Sequence, residues 1–148
     1  MQNESIYVLL ADDDKDDRDF FKEAFESIKI KTIVKTVNDG AELMNYLALN
    51  RTKLPHILFL DLNMPLKSGM ECLIEIKKTD YLNDMAIAIY STSASEQDIE
   101  DAFVNGANVY IKKPHDFTTL KKFLEEVITV NWQYQTSGLN RDSFLLNL

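Results

Sequence analysis

A single cysteine, Cys72, excludes any disulfide within the chain, so burial alone must hold the core together. That cysteine usage fits a reducing compartment. Glycine and proline are also scarce, at four and three residues. No Gly/Ser-rich stretch, repeat or low-complexity block divides the chain, so two domains on a flexible linker are not expected. Long apolar runs are missing too. The opening MQNESIYVLLADDD has an apolar run of six residues with no basic segment before it. Neither a signal peptide nor membrane insertion is expected, and the expected location is cytoplasmic. Positive charge is in deficit, with 16 basic against 24 acidic residues and a formal net charge of −8. Such a surface repels a phosphate backbone. The small pairs Lys112-Lys113 and Lys121-Lys122 read as solvated surface, so direct nucleic acid binding is not expected. What is present is an ordinary globular balance, 45% hydrophobic and 27% charged over 148 residues, enough for one domain with a substantial core.

Apolar runs alternate with amphipathic segments. Ser5–Ala11 reads as a buried strand, and Lys15–Ile28 places Phe20, Phe21, Ala24, Phe25 and Ile28 at helical spacing. Lys31–Val37 is strand-like, and Asn38-Asp39-Gly40 opens a helix carrying Leu43, Met44 and Leu47. His56–Leu60 is a continuous apolar run suited to a strand covered on both faces. Ser68–Lys77 is helical and Met85–Tyr90 a buried strand. Ser95 is a plausible N-cap for a helix to Asn105, closed by Gly106. Asn108–Ile111 is a short strand, and Asp116 or Thr118 opens a last helix through about Val130. The order is (βα) five times, which predicts a doubly wound α/β fold with a parallel five-stranded sheet between helices. Residues 1–130 form the expected domain. The tail 131–148, with Trp132, Tyr134, Leu139 and Phe144, is too apolar to float in water and should pack on its own domain or on a second subunit, which makes a homodimer an expected possibility.

In an open parallel sheet ligands bind at the carboxyl ends of the strands. Here the first strand ends in Asp12-Asp13-Asp14, the third in Asp61, and the fourth in Ser91-Thr92-Ser93. The fifth is followed by Lys112-Lys113-Pro114. Two carboxylates about 4 Å apart repel by roughly 4 kcal/mol at an effective dielectric near 20, so a pocket with three needs a cation or a retained proton. All-oxygen ligands favour a hard cation such as Mg²⁺. A partly neutralised Asp can attack phosphorus, and a lysine offsets charge on the phosphoryl oxygens.

These motifs resemble the receiver domain of two-component response regulators, the CheY-like superfamily. The resemblance is carried by VLLADDD, LFLDLNMPLKSGME, the strand ending in Tyr90-Ser91-Thr92-Ser93, and NGANVYIKKP, and it covers about residues 5–130. It implies a flavodoxin-like three-layer sandwich with strand order 2-1-3-4-5. It further implies that Asp61 is the phosphoacceptor and a metal ligand, and that Asp13 is the other direct carboxylate ligand. Asp12 would orient metal-bound water, and the backbone carbonyl of Asn63 would complete the protein's share of a Mg²⁺ or Mn²⁺ sphere. Lys113 would pair with a phosphoryl oxygen, before a Pro114 peptide that the family commonly keeps cis. Ser91, 22 positions before Lys113, would be the switch hydroxyl, and Tyr110 the aromatic that rotates with it. In the family, acids placed like Asp14, Asp16 and Asp17 tend to face solvent. Thr92 departs from the small residue usual after the switch hydroxyl, and its bulk is expected to narrow access.

The implied function is a stand-alone response regulator. It would take phosphate from a sensor histidine kinase or phosphotransfer protein and act by binding an effector protein, since no effector domain follows. It would not be an enzyme in the metabolic sense. The alternative is a phosphorylation-independent adaptor with the same fold. A phosphohydrolase usually needs a second Asp two residues after the nucleophile, where this chain has Asn63. The run Asp12, Asp14, Asp16 and Glu23 imitates a calcium loop, but Asp17 stands where that loop needs Gly. Cys72 reads as a small buried hydrophobe. His56 and His115 form no cluster with it, so a zinc site is not expected.

Overall fold

Strands with unbroken apolar sequence become the middle of a sheet, because only there are both faces covered. In the computed structural model, which describes residues 5–131 and 145–146, β1 (Ile6–Ala11), β3 (Ile57–Leu60) and β4 (Ala86–Ser91) are buried along almost their whole length. β2 (Thr32–Val37) alternates between exposed and partly covered residues as an edge strand, and β5 (Val109–Lys112) is buried up to its last residue. All pairings are parallel, and the first five strands stand in the order 2-1-3-4-5, as the resemblance implies. A sixth strand, β6 (Leu145–Leu146), pairs in parallel beside β5, Tyr110 with Leu145 and Ile111 with Leu146. Two residues are too few to show a period, so this strand is not visible in the sequence. The tail residues 132–144 and 147–148 lie outside the described residues.

Five helices cross between the strands: α1 (Lys15–Glu26), α2 (Gly40–Leu49), α3 (Gly69–Lys77), α4 (Glu96–Val104) and α5 (Phe117–Glu126). Each starts on a side chain that accepts an otherwise unpaired N–H of the first turn: Asp14, Asp39, Ser68, Ser95 and Asp116. Ser68 and Glu71 form a reciprocal capping box. The last helix does not run on as regular α-helix to Val130; its final turn, Val127–Asn131, is π-helical.

Successive strand residues point to opposite faces, and this divides the core in two. Val8, Leu10, Phe59, Ala88, Tyr90 and Ile111 meet α1 and α5 through Phe21, Phe25, Leu120 and Leu124. Leu9, Ala11, Leu58, Leu60, Ile87 and Ile89 meet the other helices through Leu43, Leu47, Leu73 and Ile99. Phe21 packs on Phe25, Phe59 and Tyr90, with ring centroids 5.0, 5.0 and 5.5 Å away. Cys72 is fully buried, and burial pushes its thiol up to about 11, so it is packing rather than chemistry.

Candidate functional site at the carboxyl edge of the sheet

Register brings distant residues together here. Ala11 pairs with Leu60, and the Asp61 N–H donates to the Ala11 carbonyl at 3.0 Å, so Asp12 and Asp61 leave the sheet side by side. Ser91 pairs with Lys112, and the Lys113 N–H donates to the Ser91 carbonyl at 2.9 Å. The four expected strand ends therefore meet at one rim. Among the described residues the buried polar or charged ones are Asp12, Asp61, Ser91 and Lys113. All four stand at strand ends in the sequence.

The loop after β3 owes its shape to Gly69. Its N–H donates to the Leu62 carbonyl at 2.9 Å, and a Cβ there would lie 2.1 Å from the Asp61 carbonyl oxygen. Only glycine allows this approach. Asn63 enters through its backbone, its N–H donating to Asp61 Oδ1 at 3.2 Å. The loop also holds Leu66 at φ 68°, in a tight turn where the Lys67 N–H meets the Pro65 carbonyl at 2.7 Å.

Lys113 sits at the centre of the charges. Its Nζ lies 2.8 Å from Asp12 Oδ2, 2.8 Å from Asp17 Oδ2 and 3.4 Å from Asp61 Oδ2. Neighbouring Lys112 is exposed, so register alone separates the two lysines. Burial disfavours the Lys113 charge, yet hydrogen bonding and the surrounding carboxylates outweigh it and raise its pKa. Burial pushes Asp61 up to about 6, with Lys113 opposing and Asp12 adding to the rise. Burial likewise raises Asp12, only partly offset by Lys113.

Two expectations need correction. Asp17 does not simply face solvent: α1 begins at the site, and its first turn swings Asp17 onto Lys113. Asp17 follows the N-cap Asp14 by three residues and shares its side of the helix, but only the placement of α1 against β5 brings it to Lys113. The Lys113–Pro114 peptide is trans, as no cis peptide occurs among the described residues; trans is the lower-energy form of an X-Pro bond. Arg18 went unnoticed. Its Nη1 donates to the Asp12 carbonyl at 2.9 Å, tying α1 to the end of β1. Thr92 is exposed.

Ser91 Oγ accepts the Ser93 N–H at 3.2 Å. Tyr110 lies with its ring fully buried, and its hydroxyl donates to the Ser93 carbonyl at 2.8 Å. The expected switch pair thus meets through the segment just after β4.

Oxygens of Asp12, Asp13 and Asp61 lie within 4.8 Å of one another. Oxygens opposite each other around a cation with bonds of about 2.1 Å are roughly 4.2 Å apart. The three therefore fit a hard cation with slight contraction, or with water joining one carboxylate. Asp12 Oδ2 is buried with no assigned hydrogen bond but lies 2.8 Å from Lys113 Nζ, so the ammonium already balances its charge and the fit to a cation rests on the three-carboxylate set.

Comparison with known proteins agrees with this geometry. The family model described as the response regulator receiver domain matches residues 8–125. The chain is 31% identical over 123 residues to the probable methanogenesis regulatory protein FilR2 of Methanothrix harundinacea, covering 81% of this chain and 79% of that protein. It is 27% identical over 124 residues to response regulator Rcp1 of Synechocystis sp., covering 81% and 84%. Among solved structures, the phosphorylated cyanobacterial phytochrome response regulator RcpA superposes with a TM-score of 0.78 at 30% identity, over 93% of this chain and 98% of that one. The Mn²⁺-bound form of Rcp1 gives 0.75 at 26% identity, over 90% and 98%.

Proposed function

This chain belongs to the response-regulator receiver family, and from that premise we propose that it is a phosphorylation switch whose acceptor is Asp61. The observation that carries this reading is the convergence of Asp12, Asp13, Asp61 and Lys113 on one rim, with Lys113 Nζ 3.4 Å from Asp61 Oδ2. An Asp61 pKa of about 6 leaves the carboxylate largely ionised near pH 7, as a nucleophile requires.

In the proposed reaction an Asp61 oxygen attacks the phosphorus of a phosphohistidine on a sensor kinase or phosphotransfer protein. The P–N bond breaks, its electron pair stays on the imidazole, and an acyl phosphate forms. Lys113 pairs with a phosphoryl oxygen and stabilises charge spread over the transferring group. Asp13, Asp61 and the Asn63 carbonyl would hold Mg²⁺ or Mn²⁺, and Asp12 would orient water at the ion. Such an ion supplies charge neutralisation on the phosphoryl oxygens. The Mn²⁺ in the Rcp1 structure and the phosphate on RcpA support both parts by analogy. Ser91 already accepts an N–H, so its proton can turn to the new phosphate, and Tyr110 reads that movement through the Ser93 segment. The output is a changed surface around α4, β5 and α5 that binds an effector protein. The role is that of a switch rather than a metabolic enzyme.

The test is incubation with Mg²⁺ and a small acyl phosphate, followed by intact mass measurement. One added phosphoryl group is expected, and none with Asp61→Asn. Equal labelling of the variant would overturn the assignment.

A further inference from the structure

We propose that Asp17 is a positioning residue, one that draws the Lys113 ammonium away from Asp61 and so leaves the Asp61 oxygens open to a cation and to phosphorus. The inference rests on the phosphoacceptor reading above. Its basis is the spacing around one ammonium: Nζ stands 2.8 Å from both Asp12 Oδ2 and Asp17 Oδ2 but 3.4 Å from Asp61 Oδ2.

Both partners are anchored to rigid elements. The Asp17 N–H is held by the N-cap side chain of Asp14 at 3.0 Å, and Arg18 secures the start of α1 to the Asp12 carbonyl at 2.9 Å. The Lys113 N–H is held by Ser91 at the end of β4. These contacts fix the two backbones, and burial of the Lys113 side chain, 8% exposed, limits its freedom at the ion pair. Its direction matters as well. The Asp17 side chain is 37% exposed, against 7% for Asp61 and 0% for Asp12, so the pull on Nζ is outward, toward the mouth of the site. Without that pull, the carboxylates left to the ammonium among the described residues are Asp12, already 2.8 Å away, and Asp61. It would close on Asp61 and compete for oxygens that a divalent cation must use. A partly exposed ion pair adds little to stability, so a structural staple is a poor explanation for this contact.

The experiment is a double-mutant cycle read by calorimetric Mg²⁺ titration of the full chain near neutral pH, with thermal melts confirming that each variant is folded. Asp17→Asn is expected to weaken Mg²⁺ binding by about three- to tenfold, the lower part of the range in which contacting residues couple. Asp17→Glu, which keeps a carboxylate able to reach Nζ, should stay within about twofold of the parent. In a Lys113→Gln background, or Lys113→Met if the first does not fold, Asp17→Asn should change affinity by less than about twofold, since there is no ammonium left to move. Equal weakening in both backgrounds would make Asp17 a plain source of negative field and overturn the proposal, as would no weakening in the parent. A parent chain that binds no Mg²⁺ and accepts no phosphoryl group would instead overturn the phosphoacceptor reading itself.

Discussion

Burial holds the Asp61 carboxyl at about 6, above the ordinary value of 3.8, and this has a consequence for stability. The folded state binds the Asp61 proton more tightly than the unfolded chain does. The contribution of Asp61 is therefore most favourable below about pH 4 and is lost as pH rises through 6. At pH 7 an ionised, buried Asp61 costs the apo protein up to about 3 kcal/mol. Asp61→Asn removes that charge and keeps the shape, so in EDTA it should raise the melting temperature, by about 1–3 kcal/mol in stability. Mg²⁺ should stabilise the parent by mass action and the variant much less. Thermal melts with and without the ion check both signs; an Asn variant less stable than the parent in EDTA would contradict them. Leu66 makes a separate prediction. A leucine at φ 68° and 83% exposed is strained and packs on little, so Leu66→Gly should stabilise by about 1 kcal/mol, seen as a higher denaturant midpoint.

Among the elements, the loop between β3 and α3 has little room for change at Gly69. Gly69→Ala puts a methyl where the Asp61 carbonyl oxygen already stands, 2.1 Å away, so the loop must move. A loss of about 3 kcal/mol is expected, together with slower phosphoryl acceptance because the Asp61 backbone moves too. Chemical denaturation and labelling rate check the two parts separately. Much of the element order is legible in the sequence. SIYVLLA, HILFL and MAIAIY announce central strands because residues covered on both faces must all be apolar, and Ser95 and Asp116 announce helix starts because they cap. The strand-end rule also finds Asp12, Asp61, Ser91 and Lys113, since it needs only the order of elements. What it cannot supply is distance. Asp17 joins the site through the orientation of α1 relative to β5, which local pattern does not encode. β6 escapes because two leucines acquire meaning only beside Tyr110 and Ile111. The π-helical turn after Glu126 has no sequence signal distinct from a continuing helix.

For the molecule as a whole, the sheet has two edges that differ. Among the described residues β2 is an edge strand, with Ile33 exposed and Lys35 beside it, and a lysine on an edge strand discourages pairing with another chain. The other edge, β5, carries β6. Leu145–Leu146 pair with it, and we propose that the tail 131–148 packs on its own domain or on a second subunit. A chain ending at Asn131 should fold but present β5 unpaired, and its self-association should change in analytical sedimentation; identical sedimentation at matched concentrations would contradict that role. The central claim concerns one carboxylate, Asp61, at the carboxyl end of β3. Aspartyl phosphate is reduced by borohydride to homoserine, so the phosphorylated protein can be reduced, digested and sequenced by mass spectrometry. Homoserine at position 61 is the predicted result. Homoserine at Asp12, Asp13 or another acid, or at none after phosphate has been shown to add, would contradict it.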